Sequence, residues 1–273
     1  MYDYDVSIIK EYGYDDSIKK YKVISMNVLR NKGVEPIHKN YVNNRCKVND
    51  EKLSENIIRA KNKIFELAFC NPWEFFFTGT LDKNKYNRED LDKFHKDFTR
   101  FIRLYNKKYN LNIKFLIVPE LHSDKKSWHF HGLFHNLPLD KLKQFRVGDK
   151  MEKIRPGGSR METHEILEKV KNGETIYNWL DYNSKFGFCD LEPIKNKEAL
   201  SKYMTKYITK ELSHSVTKLN AQCYYRSRGL RFAKEIKKGH MSIGDIQPDF
   251  KNEYCSIFWV PSSKLDYFLN SFI

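Results

Sequence analysis

Residues 118–135 read VPELHSDKKSWHFHGLFH and hold four of the nine histidines of the chain. Two apolar runs flank a short polar turn, a pattern typical of a β-hairpin. Strand alternation predicts that one face of the second run carries His129, His131, Leu133 and His135. The sequence therefore predicts a histidine pair on one face of a sheet.

A carboxylate is expected beside this pair. If residues 123–126 form the turn, Glu120 falls opposite His129 on the neighbouring strand. One carboxylate and two imidazoles suit a divalent metal with open coordination positions. The alternative at this point is a surface strand that happens to carry histidines.

The composition bounds the class of protein. The 273 residues suffice for one large domain or two small ones, and the 15% aromatic content argues against disorder. The 49 Lys and Arg against 35 Asp and Glu leave a net charge of +14, which attracts polyanions, above all nucleic acid. A basic protein from a lysine-rich proteome is the other explanation.

The cellular setting follows from what the sequence lacks. The five cysteines show no CxxC spacing, which argues against a disulfide framework and against a thiolate zinc site. No apolar run approaches the roughly 20 residues that span a membrane. We expect no membrane association and a location in the cytoplasm, namely that of a bacterial host.

The rest of the chain predicts an α+β domain. Helices are expected from residue 49 or 50 to 71, after a cap at Asn87, over 162–170, over 197–212 and over 265–272. Strands are expected over 22–29, 73–81, 112–118, 176–179, 186–190 and 253–261. This order favours a central antiparallel sheet with helices packed on one face and the metal face open.

The helix predicted over 197–212 carries a second cluster of chemistry. At about 100° per residue, Tyr203, Lys206, Tyr207 and Lys210 share one sector beside an apolar stripe. A phenol with a pKa of about 10 is a poor nucleophile, so its attack on a phosphodiester requires nearby cations and a metal that polarises the phosphate. Lys206 and Lys210 supply such cations, which gives the histidine hairpin a use.

These residues resemble the HUH endonucleases, in particular the rolling-circle replication initiators of small phages and plasmids. Residues 76–81 (FFTGTL) are similar to the first motif of that family, although Gly79 stands where a bulky residue is commoner. Residues 120–122 and 128–133 resemble its metal motif, and residues 203–210 its two-tyrosine motif. Residues 224–230 (YYRSRGL) resemble a segment of phage-type initiators. The resemblance covers about residues 50–235.

The resemblance implies a five-stranded, RRM-like antiparallel sheet and a Mg²⁺ or Mn²⁺ ion held by Glu120, His129 and His131. It implies nicking of one strand of single-stranded or origin DNA by Tyr203 and Tyr207, a covalent 5′-phosphotyrosine, a free 3′-hydroxyl for a host DNA polymerase, and later rejoining. Without a Walker A signature in the sequence, unwinding needs a host helicase.

Other residues receive weaker assignments. A groove for single-stranded DNA is expected from Tyr225, Arg226, Arg228 and Arg231, although an ordinary basic strand edge explains them equally. His122 and His135 are candidates for residues that support the metal ligands from behind.

We expect three segments in the chain. Residues 1–48 form an N-terminal extension, and residues 49–235 form the nicking domain with a polar insertion over 139–175. Residues 236–273 form a strand-helix extension packed on that domain.

Two groups of alternatives remain open from sequence alone. A relaxase or a single-strand transposase would share the chemistry, but a relaxase usually has its motifs in the opposite order and a transposase is normally shorter with one tyrosine. From other classes, the HxH strand suits a metal-dependent or cupin-like hydrolase of small molecules, or a nucleic-acid-binding module without catalysis. Activity without DNA would favour the hydrolase.

Overall fold

A computed structural model describes residues 2–30, 50–122, 124, 126–148, 160–195 and 223–273. The chain divides into two compact units. The first contains the described residues of 1–48, 69–71 and 231–273, and the second contains those of 49–68 and 72–230. Each unit is built on its own antiparallel sheet, and the predicted α+β class is confirmed. Within the described residues, no helix combines the length and apolarity needed to cross a membrane.

The elements follow in chain order as β1 (Tyr2–Tyr12), β2 (Lys20–Arg30), α1 (Asp50–Phe69), β3 (Phe75–Thr80), α2 (Leu91–Tyr109), β4 (Lys114–Leu121), β5 (Trp128–His135), β6 (Leu142–Gln144), α3 (Arg160–Lys171), β7 (Tyr177–Trp179), α4 (Leu180–Lys185), β8 (Cys189–Pro193), β9 (Tyr225–Arg226), β10 (Lys234–His240), β11 (Phe250–Lys251), β12 (Cys255–Pro261) and α5 (Leu265–Asn270). Among the predictions, β2, β3, β4, α1, α3 and the hairpin are present with small shifts of their ends. The helix predicted over 197–212 lies outside the described residues.

The sheet of the second unit has the strand order β6-β7-β8-β3-β5-β4-β9. It therefore has seven strands in the described residues, where the resemblance implies five. The additional strands are short: β6 has three residues and β9 has two. Runs of this length are too short for alternation to be recognised, and β6 falls in the stretch predicted as a polar insertion.

Helix α2 packs on the sheet through an aromatic core. Phe94, Phe98, Ile102 and Tyr105 recur at helical spacing and are buried against the face formed by Phe77, Phe115, Phe130 and Phe134. The rings of Phe94 and Phe130 stack with their centroids 4.0 Å apart. Such stacked pairs stabilise beyond their buried area.

The N-terminus of α2 corrects a predicted cap. The side chain of Asp90 accepts a hydrogen bond from the backbone N–H of Lys93 and so caps the helix. Asn87, predicted as the cap, accepts instead from the N–H of Glu89 within the preceding loop. Both residue types satisfy backbone donors in this way, so the sequence alone did not separate them.

Helix α1 packs on the opposite face of the same sheet, so helices cover both faces and not one. Its buried residues Ile57, Ile64 and Leu67 share a cluster with Leu116 and Leu133 of the sheet. The physical reason is the same alternation that places the histidines, because it also puts Leu116 and Leu133 on their face. Apolar side chains at that end of the face require a cover.

Gly79, which departs from the family's first motif, has a packing explanation. A Cβ atom on this glycine would lie 2.6 Å or less from two ring atoms of Phe77 and 2.9 Å from the hydroxyl oxygen of Tyr182. Both aromatic residues are fully buried in the core under α2. The missing side chain at position 79 therefore makes room for these two rings.

The first unit joins the two ends of the chain in one sheet of order β10-β1-β2-β12-β11. The sequence analysis treats 1–48 and 236–273 as separate extensions and packs the second on the central domain. The structure instead pairs β1 with β10 and β2 with β12, and buries Ile9, Val23 and Phe258 beneath α5. Neither pair of central strands could bury this face alone, and the combined sheet does.

We expect Phe98→Ala to lower the free energy of unfolding by about 3–5 kcal/mol, because truncating a buried aromatic residue leaves a cavity. Phe98 is 1% exposed and its ring contacts those of Phe94, Phe115 and Phe134. Leu104→Ala on the same helix is the control, since Leu104 is 49% exposed and its loss should cost within about 0.5 kcal/mol. Urea denaturation measures both changes, and equal midpoints would contradict the packing described.

Candidate active site

The hairpin of β4 and β5 has the register that its sequence predicts. Glu120 lies directly opposite His129, and Val118 lies opposite His131. Leu133, two residues further along β5, lies on the face covered by α1, whereas Phe130 and Phe134 lie in the core under α2. The predicted alternation is therefore confirmed, and the histidine face is the face that carries Glu120, His129 and His131.

The turn between the two strands is closed by Asp124. Its carboxylate accepts hydrogen bonds from the backbone N–H groups of Lys126 and Ser127, both at 2.8 Å, and from the Ser127 hydroxyl at 2.6 Å. These donors favour the charged form and hold the pKa of Asp124 well below its usual range. This local network fixes the length of the turn and hence the register that sets Glu120 against His129.

Glu120 and His131 are in direct contact. The Nε2 atom of His131 lies 2.5 Å from Oε2 of Glu120. Burial raises the pKa of Glu120, but the hydrogen bond from His131 and the neighbouring rings of His131, His129 and His122 outweigh it and lower the pKa below its ordinary value. The site thus holds an ionised carboxylate among imidazoles.

His122 is the third imidazole of this group. Its ring stacks on that of His129 with centroids 4.4 Å apart and an interplanar angle of 28°. Its backbone N–H donates to the carbonyl oxygen of Ser127, which fixes its position at the base of the turn. His122 therefore lies beside the predicted ligands, where the sequence analysis expected a supporting residue.

The donor set fits a divalent cation in its chemistry. Carboxylate oxygen suits Mg²⁺ and Mn²⁺, and imidazole nitrogen suits the transition metals, so the combination favours Mn²⁺ of the two predicted ions. Across the described ranges, no three His, Cys, Asp or Glu side chains are placed ready to share one ion. In the structure Oε2 of Glu120 is instead engaged by His131.

Strand β3 adds two hydroxyl groups to the histidine face that were not predicted as site residues. Thr78 lies opposite His131, and Thr80 lies opposite His129. The ring of Phe76 stacks on that of His131 at 6.0 Å. Alternation along β3, combined with its pairing to β5, is the signal that would have found both threonines.

His135 does not support the metal ligands. It lies four residues beyond His131, which corresponds to about 13 Å along a strand. Its Nδ1 atom is 3.4 Å from Oε1 of Glu74, whose other oxygen accepts from the backbone N–H of Asn136. The prediction for His135 is wrong because strand alternation fixes the face of a residue but not its distance along that face.

Tyr225 is not placed to stack on a DNA base. It is 3% exposed, and its ring stacks on His95 of α2 with centroids 3.9 Å apart. Burial raises its pKa to about 12 and lowers the pKa of His95. The prediction fails because Tyr225 occupies the core face of β9, and its neighbour Arg226 occupies the other face.

The three arginines predicted to contact DNA fall in different places. Arg226 is exposed on β9, the edge strand beside β4, and is paired with Leu116 on the histidine face. Arg228 is exposed just beyond β9, and its carbonyl oxygen accepts from Nζ of Lys114. Arg231 belongs to the other unit, where its guanidinium lies 3.4 Å from the carbonyl oxygen of Tyr14.

Tyr203, Lys206, Tyr207 and Lys210 lie outside the described residues. The structure therefore leaves their assignment as nucleophiles and cations a prediction from sequence.

The comparison with protein families adds a finding that includes these positions. The model of the family named replication-associated protein ORF2 matches residues 74–212, slightly more than half of the chain. The chain belongs to this family. Its members are replication-associated proteins of the rolling-circle type. The range matched by the ORF2 family contains the whole β4-β5 hairpin and, in the sequence, Tyr203 and Tyr207. Comparisons with curated proteins and with solved structures found no match.

Proposed function

We propose that this member of the ORF2 family initiates rolling-circle replication by nicking one DNA strand at an origin and later rejoining it. The observation that carries the proposal is the meeting of Glu120, His129 and His131 on one face of the hairpin, in a chain of a replication family. A net charge of +14 suits a DNA substrate.

Glu120, His129 and His131 would hold Mn²⁺ or Mg²⁺. Bound there, the ion would supply Lewis-acid polarisation of a DNA phosphate. The chain's own contribution is to present the three donors from paired strands whose register the Asp124 turn fixes. His122, stacked on His129, restricts the orientation of that ring.

Tyr203 or Tyr207 is the proposed nucleophile. The phenolic oxygen forms a bond to phosphorus while the bond from phosphorus to the 3′ oxygen breaks, and the 3′ oxygen takes up a proton. The products are a 5′-phosphotyrosine and a free 3′-hydroxyl. Lys206 and Lys210, each three residues after a tyrosine, would favour the phenolate and the charge that develops on the phosphate. Attack by the 3′-hydroxyl on the phosphotyrosine reverses the step and rejoins the strand.

The partners follow from the products. A free 3′-hydroxyl is the primer of a host DNA polymerase, and a host helicase would unwind the duplex. We place these events in the cytoplasm of a bacterial host.

Covalent trapping tests the proposal. The purified chain is incubated with single-stranded oligonucleotides that tile the replicon encoding it, with MnCl₂ or with EDTA. We expect one oligonucleotide to give an adduct that survives SDS with Mn²⁺ and not with EDTA. Digestion and mass spectrometry should then find the nucleotide on the peptide containing Tyr203 or Tyr207. Failure to form an adduct with any tile, or an adduct on another residue, would contradict the proposal.

A further inference from the structure

The solvent side of α2 carries a stripe of cations that the hairpin chemistry does not use. Lys96, Arg100, Arg103 and Lys107 are all exposed and follow one another at intervals of four, three and four residues. At 100° per residue they fall within one narrow sector, directly opposite the buried Phe94, Phe98, Ile102 and Tyr105. We call these four residues the α2 stripe.

The α2 stripe is uncompensated. None of its four side chains makes a hydrogen bond or an ion pair within the part of the chain that the structure describes. The neighbouring acid Asp97 is engaged instead by Lys93 and Tyr86. Like charges three or four residues apart destabilise an exposed helix, so this arrangement works against the stability of α2. A lysine-rich composition explains single cations, but does not by itself explain a solvent sector that contains cations alone.

The dimensions fit a phosphate backbone. The stripe extends over about 16 Å, at 1.5 Å per residue of helix. Duplex DNA carries one negative charge per about 1.7 Å of its axis, so an exposed row of this length faces several phosphates at once. Two of the four residues are arginines, which bind phosphate through two parallel donors.

We propose that the α2 stripe is a sequence-independent binding surface for the DNA phosphate backbone, separate from the histidine face. The two lie on opposite faces of the sheet, since α2 packs on the Phe130 side of β5 and the histidines project from the other. The proposal rests on DNA being the substrate of this chain, but not on the nicking chemistry. A polar protein with an acidic surface is the competing partner.

The salt dependence of binding tests this surface. The stripe variant replaces Lys96, Arg100, Arg103 and Lys107 by Gln. The control variant replaces Lys83, Lys143, Lys251 and Lys264 by Gln, four exposed lysines away from α2. Both variants lower the net charge by four, from +14 to +10. The full chain and both variants bind two fluorescent probes, a duplex of arbitrary sequence and a thymidine oligonucleotide, over a series of NaCl concentrations.

We expect the slope of log K against log salt to fall by about one for each phosphate that is no longer neutralised, hence by roughly 2–4 in the stripe variant. The control variant should change the slope little. A reduced slope confined to the duplex or to the single strand identifies which form of DNA the stripe binds. Equal slopes for the stripe and control variants on both probes would overturn the proposal.

Two further variants separate charge from folding. Exchanging the stripe residues as Lys96→Arg, Arg100→Lys, Arg103→Lys and Lys107→Arg keeps the charges and should keep the slope; a reduced slope there would also overturn the proposal. The halves Lys96→Gln with Arg100→Gln, and Arg103→Gln with Lys107→Gln, should each give part of the reduction. Adduct formation by the unchanged protein is scored separately, so failure of the nicking chemistry and failure of the stripe are distinguishable.

Discussion

Replacing Tyr203 and Tyr207 together by Phe is expected to abolish the covalent protein–DNA adduct. Phenylalanine keeps the ring but removes the oxygen that would bond to phosphorus. Removal of the nucleophile from other enzymes lowers the rate by roughly 10⁴-fold or more, so no adduct should be visible on a denaturing gel. Binding of the same oligonucleotide in EDTA should persist, because the charges of the chain are unchanged.

The control for this experiment is Tyr254→Phe combined with Tyr267→Phe, which removes two exposed hydroxyl groups from the other unit. It should form the adduct at the rate of the unchanged protein. The single variants Tyr203→Phe and Tyr207→Phe then show whether one tyrosine begins the reaction. Adduct formation that survives the double substitution would place the nucleophile elsewhere and end the two-tyrosine assignment.

Replacing His129 or His131 by Ala is expected to remove metal-dependent nicking and to weaken Mn²⁺ binding. Loss of a residue that merely supports a ligand costs 10–100-fold in metal affinity or activity, so loss of a ligand should cost at least about a hundredfold. Calorimetric titration with MnCl₂ measures the affinity, and the adduct assay measures the activity.

His164→Ala is the matched control, because His164 is an exposed histidine of α3, outside the histidine face. It should retain both Mn²⁺ binding and adduct formation. His131→Ala also leaves Glu120 without its hydrogen-bond partner, so unchanged folding has to be verified by urea denaturation. Variants at positions 129 and 131 that bind Mn²⁺ as well as the His164 variant would refute the proposed metal site.

The hairpin was predictable because its information is local. The two-residue period of a strand fixes which side chains share a face, and a short turn fixes the register, so Glu120 could be set against His129 from sequence alone. The same period misled where distance mattered, since His135 shares the face of His131 but contacts Glu74 at the far end of the strand.

The remainder was not predictable because it depends on contacts between segments far apart in the chain. Tyr225 is aromatic and stands beside arginines, a pattern typical of a nucleic-acid groove, but β9 has only two residues and its burial is decided by α2. Strand β1 has no recognisable partner nearby apart from β2, and its pairing with β10 leaves no local signal.

The sheet that joins β1 and β2 to β10 and β12 also has a consequence for synthesis. Val6 pairs with His240, so this unit cannot be completed on the ribosome until nearly the entire chain has been translated. Until then the β1-β2 hairpin has both outer edges unpaired, and such edges promote association with other chains. The nascent protein therefore depends on rapid arrival of its last strands, or on a chaperone that shields the first two.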